Sequence, residues 1–70
     1  MFWWFERRGA YLRCEARQLA TRKYEFRVTD PDGTESVEAF DEPGDLAKRQ
    51  QEMLAGLSAT GWSGPHGWVL

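Results

Sequence analysis

The chain has 70 residues, of which 41% are hydrophobic and 29% charged, with a formal net charge of -2. A chain this short buries only about 60% of the surface that its unfolded form exposes, so we expect residues 1–70 to form one small domain. Cys14, the only cysteine, excludes an intrachain disulfide, and with His66 as the only histidine the ligand pairs of a structural zinc site are missing. Oligomerisation or very efficient packing of the core is then left as the source of extra stability.

Charge is unevenly spread along the sequence. Residues 1–27 hold seven basic and three acidic side chains, whereas residues 28–70 hold two basic and eight acidic ones. This polarity suits either an anionic ligand on the basic side or a contact between the basic part of one copy and the acidic part of another.

The N-terminus, MFWWFERRG, has four consecutive aromatic residues followed by three charged ones. This apolar run is too short to cross a membrane or to form the core of a secretory signal. We therefore expect no membrane association and a cytoplasmic location, with which a single unpaired cysteine agrees.

We predict a strand at about residues 2–7 and a turn at Arg8-Gly9 that leads into the next strand. Successive side chains of a strand point to opposite faces, so the first and third aromatic residues share one face and the second and fourth share the other. Four large rings cannot all enter one core. One pair is left to meet a second molecule, and the sequence does not say which.

Residues 10–20 fit two patterns. Apolar and polar residues alternate from Leu12 onward, which is typical of a strand, but Leu12, Ala16 and Leu19 also share one face of a helix and the composition favours helices. We predict a strand at about residues 10–19, because a lone hairpin later in the chain is marginal in water and needs further strands.

The middle of the chain predicts that hairpin, with strands at about residues 23–30 and 34–40. Apolar and charged residues alternate through KYEFRVT, which is the period of a half-buried strand. In the connecting Asp30-Pro31-Asp32-Gly33, proline presets the backbone for a turn and glycine accepts the positive φ that closes it.

A single helix is predicted at about residues 43–60. Pro43 suits the first helical turn, and Asp41 is the expected N-cap. The apolar residues from Leu46 to Leu57 form one stripe along this helix, so one side of it should pack on the sheet.

Gly61 should end the helix in a Schellman stop, in which the next residue, Trp62, contacts Leu57. Residues 63–70 have no periodicity and contain two glycines and a proline, so we expect an irregular tail.

The expected fold is therefore α+β: a four-stranded antiparallel meander with one helix packed on one face. In topology alone, this unit resembles the one that the Whirly and Pur single-stranded-DNA-binding proteins use as a dimer, and a shared fold does not by itself imply a shared function.

We expect no enzyme activity, no cofactor and no metal site. Cys14 is predicted on the apolar face of its strand, where cysteine acts as a small hydrophobic residue, and His66 lies in the predicted tail, a poor place to hold a catalytic base. The sequence DPDGTE resembles the start of a calcium loop, but it lacks the glutamate that an EF-hand has at position twelve, and the turn accounts for its residues.

Binding is the better prospect, because the face opposite the helix should carry one aromatic pair beside basic side chains of two strands. The candidate interface residues are Phe2, Trp3, Trp4, Phe5, Tyr11, Arg13, Arg17 and Arg27. Large, rigid aromatic side chains are enriched at protein interfaces. We therefore predict a small non-catalytic interaction module that acts as a homodimer.

The alternative is a single-stranded nucleic-acid-binding protein, which would stack bases on the exposed rings and follow phosphates with the arginines. Glu15 and Glu25 are interleaved with those arginines, and the net charge is negative, whereas nucleic-acid-binding domains are usually basic.

Overall fold

The computed structural model describes residues 1–69, and the side chains of residues 1–67. It has one five-stranded antiparallel sheet, in the order β4-β3-β2-β1-β5, and one helix packed on one face. The elements are β1 Phe2–Arg7, β2 Ala10–Ala20, β3 Lys23–Thr29, β4 Glu35–Phe40, α1 Pro43–Ala59 and β5 Ser63–Val69. The predicted α+β class is confirmed, with five strands rather than four.

The first hairpin joins β1 to β2 through the predicted two-residue turn. Arg8 has φ 51° and Gly9 has φ 78°, which is the pair of positive values that a tight type I′ turn requires. The register pairs Arg7 with Ala10 and Phe2 with Glu15 without interruption. Residues 10–20 are therefore a strand, and their helical alternative is not realised.

The second hairpin closes at Asp30-Pro31-Asp32-Gly33, as predicted. The Gly33 N–H donates to the Asp30 carbonyl at 2.9 Å, and Gly33 has φ 91°. The Asp32 carboxylate accepts a hydrogen bond from the Thr34 N–H at 2.9 Å. Hydrogen bonds from the backbone and side chain of Thr34 hold the pKa of the Asp32 carboxyl below its usual value, so this loop favours the ionised carboxylate.

The start of the helix differs from its prediction. Glu42, not Asp41, occupies the N-cap position, because the helix begins at Pro43. Glu42 makes no side-chain capping bond, and its carboxylate instead pairs with Arg22 at 2.9 Å. Proline has no N–H to be satisfied in this first turn, which lessens the need for a cap.

The end of the helix is the predicted Schellman motif. The Trp62 N–H donates to the Leu57 carbonyl at 3.0 Å, and the Gly61 N–H donates to the Ser58 carbonyl at 3.3 Å. Gly61 has φ 89°, the left-handed conformation that such a stop needs. Trp62 and Leu57 both pack against the core.

The core lies between α1 and one face of the sheet. Its buried side chains are Trp3, Phe5, Leu12, Cys14, Ala16, Phe26 and Val28. The Trp3 and Phe26 rings stack with centroids 5.9 Å apart, and the Cys14 Sγ lies 3.9 Å from the Sδ of Met53 on the helix. Burial raises the pKa of the Cys14 thiol to about 12, so the core holds this cysteine in its neutral form.

The predicted irregular tail instead forms β5, which pairs antiparallel with β1. A Cβ atom on Gly67 would lie 1.8 Å from the Trp4 indole, and one on Gly64 would lie 2.7 Å from the Phe5 ring. The glycines that suggested a tail therefore allow the β5 backbone to lie against the aromatic residues of β1. Leu70 lies outside the described residues.

Within residues 1–69, no helix is long and apolar enough to cross a membrane.

Candidate functional site: the open face of the sheet

The sheet has one face covered by α1 and one opposite face, which we call the open face. The pairing registers place fourteen side chains on it from β1 to β4. They are Phe2, Trp4, Glu6, Tyr11, Arg13, Glu15, Arg17, Lys23, Glu25, Arg27, Thr29, Glu35, Val37 and Ala39.

The structure decides which aromatic pair of β1 is exposed. Trp3 and Phe5 are only 3% exposed each and pack beneath α1, so they leave the set of candidate interface residues. Phe2 and Trp4 point to the open face, and Phe2 is 43% exposed. The six remaining candidates all lie on the open face: Phe2, Trp4, Tyr11, Arg13, Arg17 and Arg27.

Four rings gather at the β1 side of the open face, and we call Phe2, Trp4, Tyr11 and His66 the aromatic cluster. The Trp4 ring centroid lies 6.3 Å from that of Phe2 and 6.2 Å from that of His66. Tyr11 is 50% exposed. With Glu6 and Arg13, these rings line an open groove of about 570 Å³, which is wide enough to receive side chains of another molecule.

His66 is a residue of this surface that sequence reasoning missed, because β5 was not predicted. Its position follows from pairing with Trp4 across the β1 and β5 strands. Ser63 holds it there: the Ser63 hydroxyl donates to the Glu6 carbonyl at 3.1 Å and lies 3.2 Å from the His66 Nε2. The spacing of two glycines around His66 was the only sequence signal, and it also fits a loop.

The β3 and β4 side of the open face is charged, and three of its charged residues, Glu25, Arg27 and Glu35, pair with one another. The Glu25 carboxylate lies 2.8 Å from the Arg27 guanidinium and 3.6 Å from that of Arg17. Arg27 also reaches Glu35 at 3.4 Å. Two of the predicted basic contact residues are thus engaged within the sheet: Arg27 pairs with Glu25 along β3 and with Glu35 across to β4, and Arg17 pairs with Glu25 across from β2.

The open face carries no excess of positive charge. Its basic residues are Arg13, Arg17, Lys23 and Arg27, and its acidic residues are Glu6, Glu15, Glu25 and Glu35. A surface that tracks a nucleic-acid backbone is instead predominantly basic.

Two charges of the groove have no such partner. Arg13 and Glu6 both line it, yet neither forms an ion pair within the described part of the chain. Arg13 stands opposite Trp4 in the register, and Glu6 stands opposite Tyr11. Within residues 1–67, the groove is therefore lined by four rings together with one cation and one carboxylate that form no ion pair.

The two residues that could have made a nucleophile and base lie on opposite sides of the sheet. Cys14 is buried beneath α1, whereas His66 belongs to the open face. Among residues 1–67, no group of three His, Cys, Asp or Glu side chains is placed to hold a metal ion.

Comparison with known proteins assigns no function to the open face. Neither a protein-family model, nor a curated protein, nor a solved structure matches the chain. The sheet has five strands where the Whirly and Pur resemblance rested on four. Function is therefore inferred from the open face itself.

Proposed function

We propose that the protein is a small non-catalytic interaction module that acts as a homodimer, and that the aromatic cluster is where the second copy binds. One observation carries this proposal: Phe2 and Tyr11 are 43% and 50% exposed beside Trp4, on a sheet face that no element of residues 1–67 covers. Aromatic side chains placed in this way are enriched in the cores of protein interfaces.

The rest of the open face supports the same function. Basic and acidic residues are equal in number among the side chains that β1 to β4 place on this face, and Glu25, Arg27 and Glu35 pair there, so a second protein surface can approach without burying a net charge. Five strands about 4.8 Å apart and about six residues long give a footprint of about 24 by 20 Å, which corresponds to the smaller protein interfaces. We therefore expect a dimer whose population depends on concentration.

We also propose that the protein is cytoplasmic. The free thiol of Cys14 suits a reducing compartment.

Sedimentation velocity over a range of concentrations tests the homodimer. We expect the unmodified protein to shift from monomer to dimer, and the double variant Phe2→Ser with Tyr11→Ser to remain monomeric. Leu19→Ser is the control, because Leu19 is 55% exposed at the far end of β2 and its replacement removes exposed apolar surface outside the aromatic cluster. The proposal fails if the unmodified protein is monomeric throughout, or if the double variant and the control dimerise equally.

The alternative function, single-stranded nucleic-acid binding, is favoured by the placement of Arg13 beside exposed rings on which bases could stack. Titration with an oligonucleotide of mixed sequence at low salt separates the two. We expect no quenching of tryptophan fluorescence. Quenching that weakens steeply as salt is added would instead support nucleic-acid binding.

A further inference from the structure

We infer that the second copy docks about a two-fold axis along the diagonal from Trp4 to Tyr11, so that Arg13 of each copy pairs with Glu6 of the other. This inference rests on the proposed homodimer and specifies its geometry. It names two residues whose charges set the orientation of the complex.

Both charged side chains that line the groove are left without an ion-pair partner by residues 1–67. On the charged side of the open face, Glu25 holds both Arg17 and Arg27. In the groove, Arg13 and Glu6 are opposite charges that lie near each other in the register and still form no ion pair within residues 1–67. Each can therefore take a partner from outside the chain without giving up a bond that it already has.

Arg13 and Glu6 lie diagonally across from each other on β2 and β1. Trp4 pairs with Arg13, and Glu6 pairs with Tyr11, so these four side chains form the corners of a quadrilateral on the open face. One diagonal joins the two rings, and the other joins the two opposite charges. When two identical faces meet about a two-fold axis, residues on the axis meet their own copies, and residues on either side exchange places.

The possible two-fold axes differ in which charges of the two copies they bring together. An axis along the charged diagonal would set Arg13 against Arg13 and Glu6 against Glu6, and like charges brought together at an interface are costly. An axis along the aromatic diagonal sets ring against ring and forms two reciprocal Arg13 to Glu6 pairs. Axes parallel or perpendicular to the strands would place each of these charges against a ring. Of these axes, only the one along the diagonal from Trp4 to Tyr11 places Arg13 and Glu6 of one copy against opposite charges of the other.

This axis also suits the packing of the sheets. Strands lie about 4.8 Å apart and alternate residues about 6.8 Å apart along a strand, so the diagonal runs obliquely and the strands of the two copies cross steeply, as in orthogonally packed sheets. The rings form the apolar centre of the contact, and the two ion pairs flank it. Charges in such positions fix orientation and partner choice more than they add affinity.

A charge exchange tests this geometry. Arg13→Glu leaves two carboxylates in each groove, and Glu6→Arg leaves two cations, so each single variant should dimerise at least about tenfold more weakly than the unmodified protein. An equimolar mixture of the two variants should form a heterodimer of near-normal affinity, because every carboxylate then faces a cation. The double variant with both substitutions in one chain should also recover the homodimer.

Lys48→Glu is the control, because it reverses the charge of an exposed side chain on α1, outside the open face, that forms no ion pair within residues 1–67. It should leave dimerisation within about threefold of normal, and circular dichroism should show all variants folded. If the unmodified protein dimerises but the mixture does not, the docking geometry is wrong and the homodimer stands. If the unmodified protein never dimerises, the proposed homodimer is wrong as well.

Discussion

The two faces of β1 carry nearly the same side chains, but one face is buried and the other is exposed. Trp3 and Phe5 are 3% exposed beneath α1, whereas Phe2, three residues or fewer from either, is 43% exposed on the open face. Composition does not distinguish the two pairs. Strand alternation separates them, and the single helix can cover only one face, so the second pair is surplus apolar surface unless another molecule covers it.

The sharpest test of this contrast is to truncate one ring on each face. Phe26, which is 1% exposed and stacks on Trp3, should lose about 3–5 kcal/mol of unfolding free energy when replaced by alanine. That loss is comparable to the whole stability of a domain this small, so we expect Phe26→Ala to be largely unfolded. Urea denaturation followed by circular dichroism measures it.

Phe2→Ala is the matched variant on the open face. At protein concentrations too low for dimerisation, it should change the free energy of unfolding by less than about 1 kcal/mol. If Phe26→Ala and Phe2→Ala lost equal amounts of unfolding free energy, both faces of the sheet would be equally buried, and the contrast between a covered and an open face would be wrong.

A methyl group on β5 should disturb the open face selectively. Gly67 has φ 65° and lies directly under the Trp4 indole, so Gly67→Ala should displace that ring or detach β5, at a cost of about 1–3 kcal/mol. Amide hydrogen exchange should rise along β1. Gly56→Ala in α1 is the control, because it has open space around it and should raise stability by up to about 1 kcal/mol. Unchanged exchange in Gly67→Ala would mean that β5 does not lie on Trp4.

The covered face should make stability depend on pH through Cys14. Burial raises the pKa of this thiol from 9.0 to about 12, so between these values the unfolded chain loses a proton that the folded chain keeps. The folded state then binds more protons, and the free energy of unfolding falls as the pH rises above about 9. Cys14→Ala should show a shallower fall in denaturation experiments from pH 8 to pH 11. Identical slopes in the two proteins would place the thiol in contact with solvent.

The smallest expected effect lies outside both faces, at the hairpin turn. Because Thr34 donates hydrogen bonds to the Asp32 carboxylate, the pKa of Asp32 is lowered, and the support that it gives the turn should be lost only as the pH falls below the usual aspartate range. The Thr34 amide resonance should titrate with that low midpoint. Asp32→Asn should keep the turn and abolish the titration, and a normal midpoint in the unmodified protein would contradict the hydrogen bond.

The hairpin turns and the helix end could be predicted because each depends on local chemistry. Gly33 and Gly61 take positive φ values at positions that the surrounding residues mark as turns. The stop at Trp62 follows from the same local rule. These parts of the fold need no knowledge of distant segments.

The fifth strand could not be predicted, because its signal is not local. Gly64 and Gly67 suggest a tail until Phe5 and Trp4 are placed beside them, and only the neighbouring strand shows that these positions must lack side chains. Packing between distant segments also determines that α1 covers Trp3 and Phe5 and leaves Phe2 and Trp4 on the open face. His66 was missed for this reason, although it completes the aromatic cluster.

Isotope-filtered nuclear Overhauser measurements on an equimolar mixture of labelled and unlabelled protein test the central claim most directly. They should give intermolecular contacts from the Trp4 and Tyr11 rings, with the Arg13 side chain of one copy close to Glu6 of the other. Contacts confined to the exposed Val37 on the β4 edge, or none at concentrations where sedimentation detects a dimer, would contradict it.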